Sequence, residues 1–468
     1  MQKKKIIIGA AATAVVLAGV HYGGAAVIGP EVEDRFRAEV QRLDDLDERA
    51  DIQVTDYQPG RLHSTAEVTV RPDQPVGEDE DRPLPGVRFD VTLDHGPFLA
   101  RLPLPFGAVG FTATAHADDD LRRALEGEIE PAPNAETPLL TVSGRGGFTG
   151  TISGDFRSEA FSAEAAAEEL ALEWGGMLGT FTADRETLAV TARAPGGELQ
   201  QGTENRVRFA DLRIEGDGTA TDGSYLLGRQ SVSAGTLAFR APEGKIDIDR
   251  PALTSRLDRE EAGLRVGFET QAAGLKLQGR DLADPVDWED IRLEAALAGI
   301  DADAYGELAD VVQEYPAEVP EAVLRDRVLP AVQTILTGHP RMTLDEARAT
   351  NAEGTLKADG EASFREGSRP DINRPRTVVE ALDARLTLDA PAAAVEANLR
   401  RSLVSQGRSE EVAGRQAAML VEALAADGYL EAVDEAEDDR YRSEVTFRGS
   451  QFLVNGKPAL GLMGALMQ

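Results

Sequence analysis

An alternation of apolar and polar residues runs through much of this chain and constrains its fold more than any other feature. In residues 87–94 every second position is apolar: Val87, Phe89, Val91 and Leu93. Successive side chains of a β-strand point to opposite faces, so this pattern indicates a strand with one buried face. Similar runs recur as far as residue 297, and Gly and Asp-Gly between them suit hairpins. The sequence therefore predicts a β-rich, mostly antiparallel domain over residues 51–299.

In two of these runs the alternation slips by one position. The apolar positions are Val207 and Phe209 and then Leu212 and Ile214 in the first run, and Val232 and Ala234 and then Leu237 and Phe239 in the second. A β-bulge adds one residue to a strand and restores the apolar face after such a slip. The sequence therefore predicts a bulge in each run.

Helical spacing replaces the alternation in three parts of the chain. Residues 30–50 carry apolar side chains three or four apart and predict a juxtamembrane amphipathic helix, whose apolar face could pack on the protein's own body or on a second copy. Residues 300–340 predict a helical section. Residues 341–468 predict an α+β C-terminal domain that closes with a hairpin, after which the apolar residues 460–467 could return as a strand or dock on the core.

The first 29 residues predict a transmembrane anchor. Three lysines, Lys3 to Lys5, precede residues 6–28, which carry no formal charge and are long enough to cross a bilayer as a helix. Basic residues before the span and an acidic chain after it favour a cytoplasmic N-terminus and a periplasmic bulk. A cleaved signal peptide is the alternative, but apolarity continues to Ile28 and Pro30 suits a helix start, which favours a retained anchor.

Composition excludes several functions. With 49 basic and 82 acidic residues the net charge is −33, which argues against nucleic acid as a partner. The chain has no cysteine, so disulfides, thiolate metal sites, thiol nucleophiles and lipoprotein anchoring are excluded. The predicted fold class is thus α+β: a mostly antiparallel, twisted sheet body with inserted helices, plus one N-terminal transmembrane helix.

The sequence assigns no catalytic, cofactor-binding or metal-binding residue. None of the five histidines has metal-site spacing to another: His21, His63, His95, His116 and His339. Asp301 and Asp303 begin like a calcium loop, but Val312 occupies the twelfth position, where a bidentate Glu is needed. Nucleophile-elbow and phosphate-loop motifs do not occur. We therefore expect a protein that is not an enzyme and has no cofactor.

Short motifs follow one another in a characteristic order. They are Tyr57 with Gly60, then His95-Gly96-Pro97, then Trp174 with two glycines, then Tyr441, and finally Asn455-Gly456. With the N-terminal segment, this order resembles the YdgA-like family of bacterial inner-membrane proteins, a domain of unknown function, over essentially the whole chain. The resemblance implies a periplasm-facing protein of the cell inner membrane, without an established activity or catalytic residues.

The physical interpretation of these motifs is structural. Gly96 allows an unusual backbone at a strand end and Pro97 stops the ladder, while His95 is expected as a buried hydrogen-bonding group rather than a catalyst. Asn455-Gly456 predicts a tight type I′ turn.

Three functions remain open at this stage. The first is a non-catalytic, membrane-anchored envelope protein that binds a partner or acts as a scaffold. The second is the handling of a lipid or another hydrophobic ligand along a sheet-lined groove. The third is an enzyme whose site forms only in the fold. The inner membrane, bound through residues 1–28, is the expected partner, and a homodimer, an envelope protein and a lipid ligand stay open.

Overall fold

The computed structural model describes residues 33, 36–38, 40, 41, 50–60, 63–72, 86–95, 109–126, 130, 137–147, 150–165, 169–221, 225–280, 285–315, 319–435 and 438–459. The chain divides into two compact units. Unit 1 comprises Met1–Ala220 and Val232–Pro242, and unit 2 comprises Thr221–Ser231 and Glu243–Gln468.

Unit 1 is built on strands that pair with their neighbours in the chain. Its elements are β1 (Ala50–Gln58), β2 (His63–Pro72), β3 (Val87–His95), β4 (Val109–Ala117), α1 (Asp119–Leu125), β5 (Leu140–Gly146), β6 (Ile152–Ser158), β7 (Phe161–Ala165), β8 (Leu170–Trp174), β9 (Met177–Ala183), β10 (Thr187–Gln201), β11 (Asn205–Ala220), β12 (Leu226–Ser233, divided between the units) and β13 (Thr236–Ala241). The antiparallel order is β1-β2-β3-β4-β5-β6-β9-β10-β11-β13. The hairpin β7-β8 joins through β8, which pairs with the second half of β10.

The core of unit 1 lies on the face that the alternation predicts. Phe89, Val91 and Leu93 of β3 are buried together with Val142 and Ile152 of the following strands. Residues 33, 36–38, 40 and 41 are helical, and their apolar members, Phe36 and Val40, belong to the same core. The helix face at these two positions thus packs on the protein's own sheet.

Unit 2 repeats the antiparallel pattern and adds helices between its strands. Its elements are β14 (Gly244–Asp249), β15 (Ala252–Glu260), β16 (Gly263–Gly279), β17 (Val286–Ile300), α2 (Ala302–Glu314), α3 (Glu321–Val323, continuing through a π-helical Leu324–Val328 into Leu329–Thr337), β18 (Arg341–Asn351), β19 (Gly354–Phe364), α4 (Pro375–Ala381), β20 (Leu382–Pro391), α5 (Ala392–Ser405), α6 (Glu410–Ala426), β21 (Glu431–Glu435), β22 (Asp438–Arg448), β23 (Gln451–Val454) and β24 (Lys457–Pro458). Both β14 and β15 pair with β16, and the sheet continues as β16-β17-β18-β19-β20-β22. β22 then pairs with β21 and β23, and β23 with β24.

The two predicted phase slips have different structural outcomes. β11 runs through its slip as one strand, because Asp211 adopts a left-handed backbone with φ of 52° while the register with β10 is kept. At the second slip the strand ends instead, since Ala234 and Gly235 separate β12 from β13.

The predicted fold class needs correction. The sequence predicts an α+β body with a transmembrane helix, whereas the structure is mostly antiparallel β-sheet, with 59% strand and 22% helix. The helices are short insertions between strands of the sheets, because the period-two pattern returns after each of them. Among the residues that the structure describes, no helix is long and apolar enough to cross a membrane. The predicted span, residues 1–28, lies outside the described residues.

Candidate functional site

One face of the unit 2 sheet carries rows of uncharged side chains across its strands. Directly paired residues of antiparallel strands share a face, so the register identifies the members of each row. The first row is Leu257, Val266, Leu297, Met342, Ala362, Ala384, Phe447 and Phe452. The second row is Ser255, Phe268, Ala295, Leu344, Gly360, Leu386, Val445 and Val454. The third row is Leu253, Thr270, Leu293, Ala347, Ala358, Leu388 and Ser443.

We call these three rows the apolar strip. Neighbouring strands lie about 4.8 Å apart and alternate residues of a strand about 7 Å apart. Eight strands and three rows therefore give the strip a length of about 34 Å and a width of about 14 Å. None of its residues is charged, although 28% of the chain is.

The opposite face of the same sheet is charged. Arg292 of β17 lies within 3.4 Å of the carboxylates of Glu269, Glu294 and Glu346, which come from three neighbouring strands. Arg341 pairs with Glu361 across β18 and β19 on this face. The alternation therefore separates the sheet into an ionic face and an uncharged face.

The apolar strip is covered in some places and exposed in others. Leu257 and its row neighbours Val266 and Leu297 pack with Tyr305 of α2 and Ile335 of α3. By contrast, Met342 is 52% exposed, Phe268 48% and Leu293 44%. Large side chains on three neighbouring strands of an uncharged face, β16, β17 and β18, thus contact solvent, which is uncommon over areas above a few hundred Å².

Unit 1 carries a second apolar surface, around Trp174. The paired residues Phe161, Trp174, Gly197, Phe209 and Leu237 form one row across β7, β8, β10, β11 and β13. The Trp174 and Phe209 ring centroids lie 6.0 Å apart, and Phe161 is 51% exposed. The Trp174 indole N–H donates to Ser158 Oγ at 3.0 Å, so its one polar group is already paired.

The family-motif residues in unit 1 occupy separate positions. Tyr57 of β1 is buried against Phe36, with ring centroids 6.0 Å apart and the Arg37 guanidinium 5.9 Å from its ring. Gly60 follows β1, and its N–H donates to Ser64 Oγ at 3.3 Å. His95 ends β3, where its backbone pairs with Val109. The His95 side chain, Gly96 and Pro97 lie outside the described residues.

Two of the family-motif residues in unit 2 form the turn of its C-terminal hairpin, β23-β24. Asn455 and Gly456 have φ of 49° and 73°, the two positive values that a type I′ turn requires. Asn455 Oδ1 accepts the Glu444 N–H at 2.7 Å, and its Nδ2 donates to the carbonyls of Tyr429 and Gly428 at 3.1 and 3.3 Å. Tyr441 of β22 is half-buried and pairs with Ala390, on the face of the apolar strip.

An ion cluster in unit 2 encloses one carboxylate between two arginines. Asp389 accepts hydrogen bonds from Arg440 Nε at 2.6 Å and from Arg442 at 2.9 Å, and Arg440 also donates to the Thr355 carbonyl at 2.9 Å. Burial alone would raise the pKa of Asp389, but the two arginines outweigh it and the pKa is lowered. Because every member is paired, the cluster is structural rather than a proton donor.

The described residues offer no metal centre. Within those ranges, no three His, Asp or Glu side chains are grouped so that they could hold an ion. His116 is buried and its Nε2 lies 3.5 Å from Asp90 Oδ2, whereas His339 Nε2 lies 3.1 Å from the Ser368 carbonyl oxygen. These two histidines are thus on different units and each has its own local contact.

Together these features define a two-faced antiparallel β-sheet protein with exposed uncharged faces. The chain belongs to a bacterial protein family of unknown function (DUF945), whose model matches residues 3–459. The expected resemblance is therefore confirmed as membership of a bacterial family without an assigned function, and the narrower YdgA-like assignment stays a prediction. No curated protein and no solved structure matches the chain.

Proposed function

We propose that this protein is a non-catalytic binding protein that accommodates hydrocarbon chains of lipids along the apolar strip. The observation that carries the proposal is the exposure of Met342, Phe268 and Leu293, on three neighbouring strands of an uncharged face. Fully burying a large apolar side chain contributes about 1.5–3 kcal/mol, and covering one that is already about half buried contributes correspondingly less. A ligand that covers several of them gains substantial binding free energy without any hydrogen bond.

The dimensions of the strip support an acyl chain as the ligand. The acyl chains of one leaflet occupy about half of a hydrocarbon core that is about 30 Å thick, or about 15 Å. The exposed part of the strip, from Phe268 on β16 to Leu388 on β20, spans four strand spacings or about 19 Å, so one chain fits along it across the strands. Its only polar side chains are the hydroxyls of Ser255, Thr270 and Ser443, which suits a hydrocarbon better than a charged peptide.

Introducing a single carboxylate into the apolar strip tests whether the strip binds acyl chains. We expect Met342→Glu to weaken photolabelling of the full chain by a zwitterionic phosphatidylethanolamine that carries a photoreactive C16 chain. An ionised carboxylate in contact with hydrocarbon loses hydration, so the expected reduction is at least about tenfold, or about 1.4 kcal/mol. Labelling is measured by mass spectrometry at several lipid concentrations.

Arg341→Glu is the matched control because Arg341 is adjacent on the same strand, is similarly exposed and points to the ionic face. Its exposed ion pair with Glu361 contributes little, so labelling is expected to stay within about twofold of the parent chain. Equal labelling of the two variants would contradict the proposal. A dimer that Met342→Glu dissociates, without lipid labelling, would assign the strip to a second copy instead.

The enzyme alternative is not favoured by any arrangement of described side chains, and a periplasmic location for the bulk of the chain stays a prediction.

A further inference from the structure

Asn455-Gly456 is the only Asn-Gly pair in the sequence, and such a pair can deamidate without an enzyme. The Gly456 backbone nitrogen attacks the side-chain carbonyl carbon of Asn455, because glycine has no side chain to hinder the approach. The new C–N bond closes a five-membered succinimide, and the side-chain nitrogen leaves as ammonia with the proton of the Gly456 N–H. Water then opens the ring to aspartate or isoaspartate, so the reaction needs neither an oxidant nor a reductant.

The closed hairpin holds both polar atoms of the Asn455 amide away from this reaction. Oδ1 accepts the Glu444 N–H at 2.7 Å, and Nδ2 donates to the carbonyls of Tyr429 and Gly428 at 3.1 and 3.3 Å. Closing the ring turns the amide so that its carbon faces the Gly456 nitrogen, and this rotation breaks all three hydrogen bonds. Because that leaves polar groups unpaired, the reaction requires a local opening of the hairpin.

Contacts from a distant part of the sequence keep the hairpin closed. The Tyr429 hydroxyl donates to the Pro458 carbonyl at 3.2 Å, and the Lys457 ammonium donates to the Asp427 carbonyl. Residues 427–429 directly follow α6, so the end of this helix binds the residues of the turn on both sides of Gly456. The reactivity of Asn455 therefore depends on tertiary contacts as well as on its neighbour in the chain.

Neither product of the reaction fits the position that Asn455 occupies. An aspartate has no side-chain N–H, so a carboxylate oxygen would face the carbonyl oxygens of Tyr429 and Gly428 where a donor stood. An isoaspartate routes the main chain through its β-carbon and adds one backbone atom to a two-residue turn. Either product removes a condition for closing the hairpin.

We propose that Asn455 is a site of spontaneous deamidation that the closed hairpin protects, and that its modification prevents the hairpin from closing again. Water is the only co-reactant, and the change is irreversible because the ammonia is lost. The proposal does not depend on lipid binding, since it rests only on the β23-β24 turn and the end of α6.

The rate of deamidation in the full chain tests the protection. At one mildly alkaline pH, we expect Asn455 to deamidate at least about tenfold more slowly in the folded protein than in the same chain in concentrated urea, because three hydrogen bonds have to break first. Peptide mass spectrometry measures the mass gain at this residue. Equal rates in the folded and unfolded chain would overturn the proposal.

Tyr429→Phe separates the tertiary contacts from the local sequence, because it removes the hydrogen bond to Pro458 and leaves the hairpin residues unchanged. We expect deamidation about two- to tenfold faster in the folded variant, and an unchanged rate in urea. Tyr441→Phe is the matched control, since it removes the same hydroxyl from the part of β22 that pairs with β21. A parent-like rate for Tyr429→Phe, or equal acceleration by both variants, would overturn the proposal.

Asn455→Asp supplies the deamidated side chain directly and tests its effect on the hairpin. We expect faster amide hydrogen exchange in residues 444–458 of this variant than in the parent chain, because the hairpin opens more often. Asn398→Asp in α5 is the control, since Asn398 is exposed and its Oδ1 accepts from Arg401, which a carboxylate can also do. Unchanged exchange in Asn455→Asp, or equal changes in both variants, would contradict the proposed effect.

Discussion

Asn455 connects three parts of unit 2 through one side chain. The hydrogen bonds of its side-chain amide connect the β22 backbone at Glu444 to the carbonyls of Gly428 and Tyr429, which follow α6. Its own backbone is left-handed and forms the turn between β23 and β24. The dipeptide Asn455-Gly456 predicts the turn from sequence. The three hydrogen bonds could not be predicted, because they depend on where α6 ends relative to the hairpin.

Two substitutions at Asn455 separate the contribution of its side-chain hydrogen bonds from that of its left-handed backbone. We expect Asn455→Gly to destabilise the protein by about 1–3 kcal/mol, because it leaves hydrogen-bonding groups unpaired but still permits a positive φ. Asn455→Ala should cost about 1–2 kcal/mol more, since a β-carbon disfavours the left-handed backbone. Urea denaturation followed by circular dichroism measures both. Equal losses would show that the backbone conformation contributes nothing.

Asp389 gives unit 2 an acid-sensitive ion cluster. Its pKa is lowered in the folded state, so it stabilises the fold above the ordinary Asp pKa of about 3.9, and this contribution is lost as the pH falls through the lower folded value. At pH 7 Asp389→Asn should lower the free energy of unfolding by about 3 kcal/mol, because Arg440 is 9% exposed and loses its charged partner. The difference from the parent chain should shrink below about pH 4, as measured by denaturation at a series of pH values. A difference that is constant with pH would exclude a charge effect.

At the scale of strands, the described part of unit 1 pairs phenylalanine with glycine across the sheet four times. The directly paired residues are Phe111 with Gly144, Phe181 with Gly154, Phe156 with Gly179 and Phe209 with Gly197. In each pair the ring lies over the glycine, where a β-carbon would otherwise stand. An aromatic ring that covers a glycine replaces the packing that the missing side chain cannot supply.

A valine at one of these glycines should therefore destabilise unit 1. A β-carbon on Gly154 would lie 2.6 Å from Phe181 Cζ and would also contact the Ser143 carbonyl oxygen, so we expect Gly154→Val to cost about 1–3 kcal/mol. Gly267 of β16 is the control, because a β-carbon there meets nothing within 4 Å. Gly267→Val should be neutral or stabilising by up to about 1 kcal/mol, since glycine weakens a strand interior. Comparable losses in thermal denaturation of both variants would contradict the ring-over-glycine account.

The sequence predicts where the strands lie better than it predicts which strands pair with each other. The run at residues 87–93 corresponds to β3, Val87–His95, because alternation is a local property. The glycines inside alternating runs, such as Gly154 and Gly179, were a usable signal of close approach. Their phenylalanine partners could not be identified, since pairing depends on a register that only the folded sheet defines.

At the scale of the whole molecule, the sequence predicted that the sheets have an apolar face but not how far that face is covered. Alternation shows which side chains share a face, and Phe268 and Met342 fit it as well as the buried Phe89 does. Exposure depends on whether a helix or another segment lies above the face, which is a property of distant parts of the chain. The candidate site therefore emerged only from register and burial taken together.

The sequential pairing of neighbouring strands also has a consequence for how the protein is made. From β1 to β6, and again from β16 to β20, each new strand pairs with the strand synthesised just before it. Pairings between strands that follow one another in the chain are closer in sequence, and form faster, than pairings between strands from distant parts of the chain. Within each of these two runs the sheet can thus grow during translation, and the last strand made is an unpaired edge until the next strand of the run covers it.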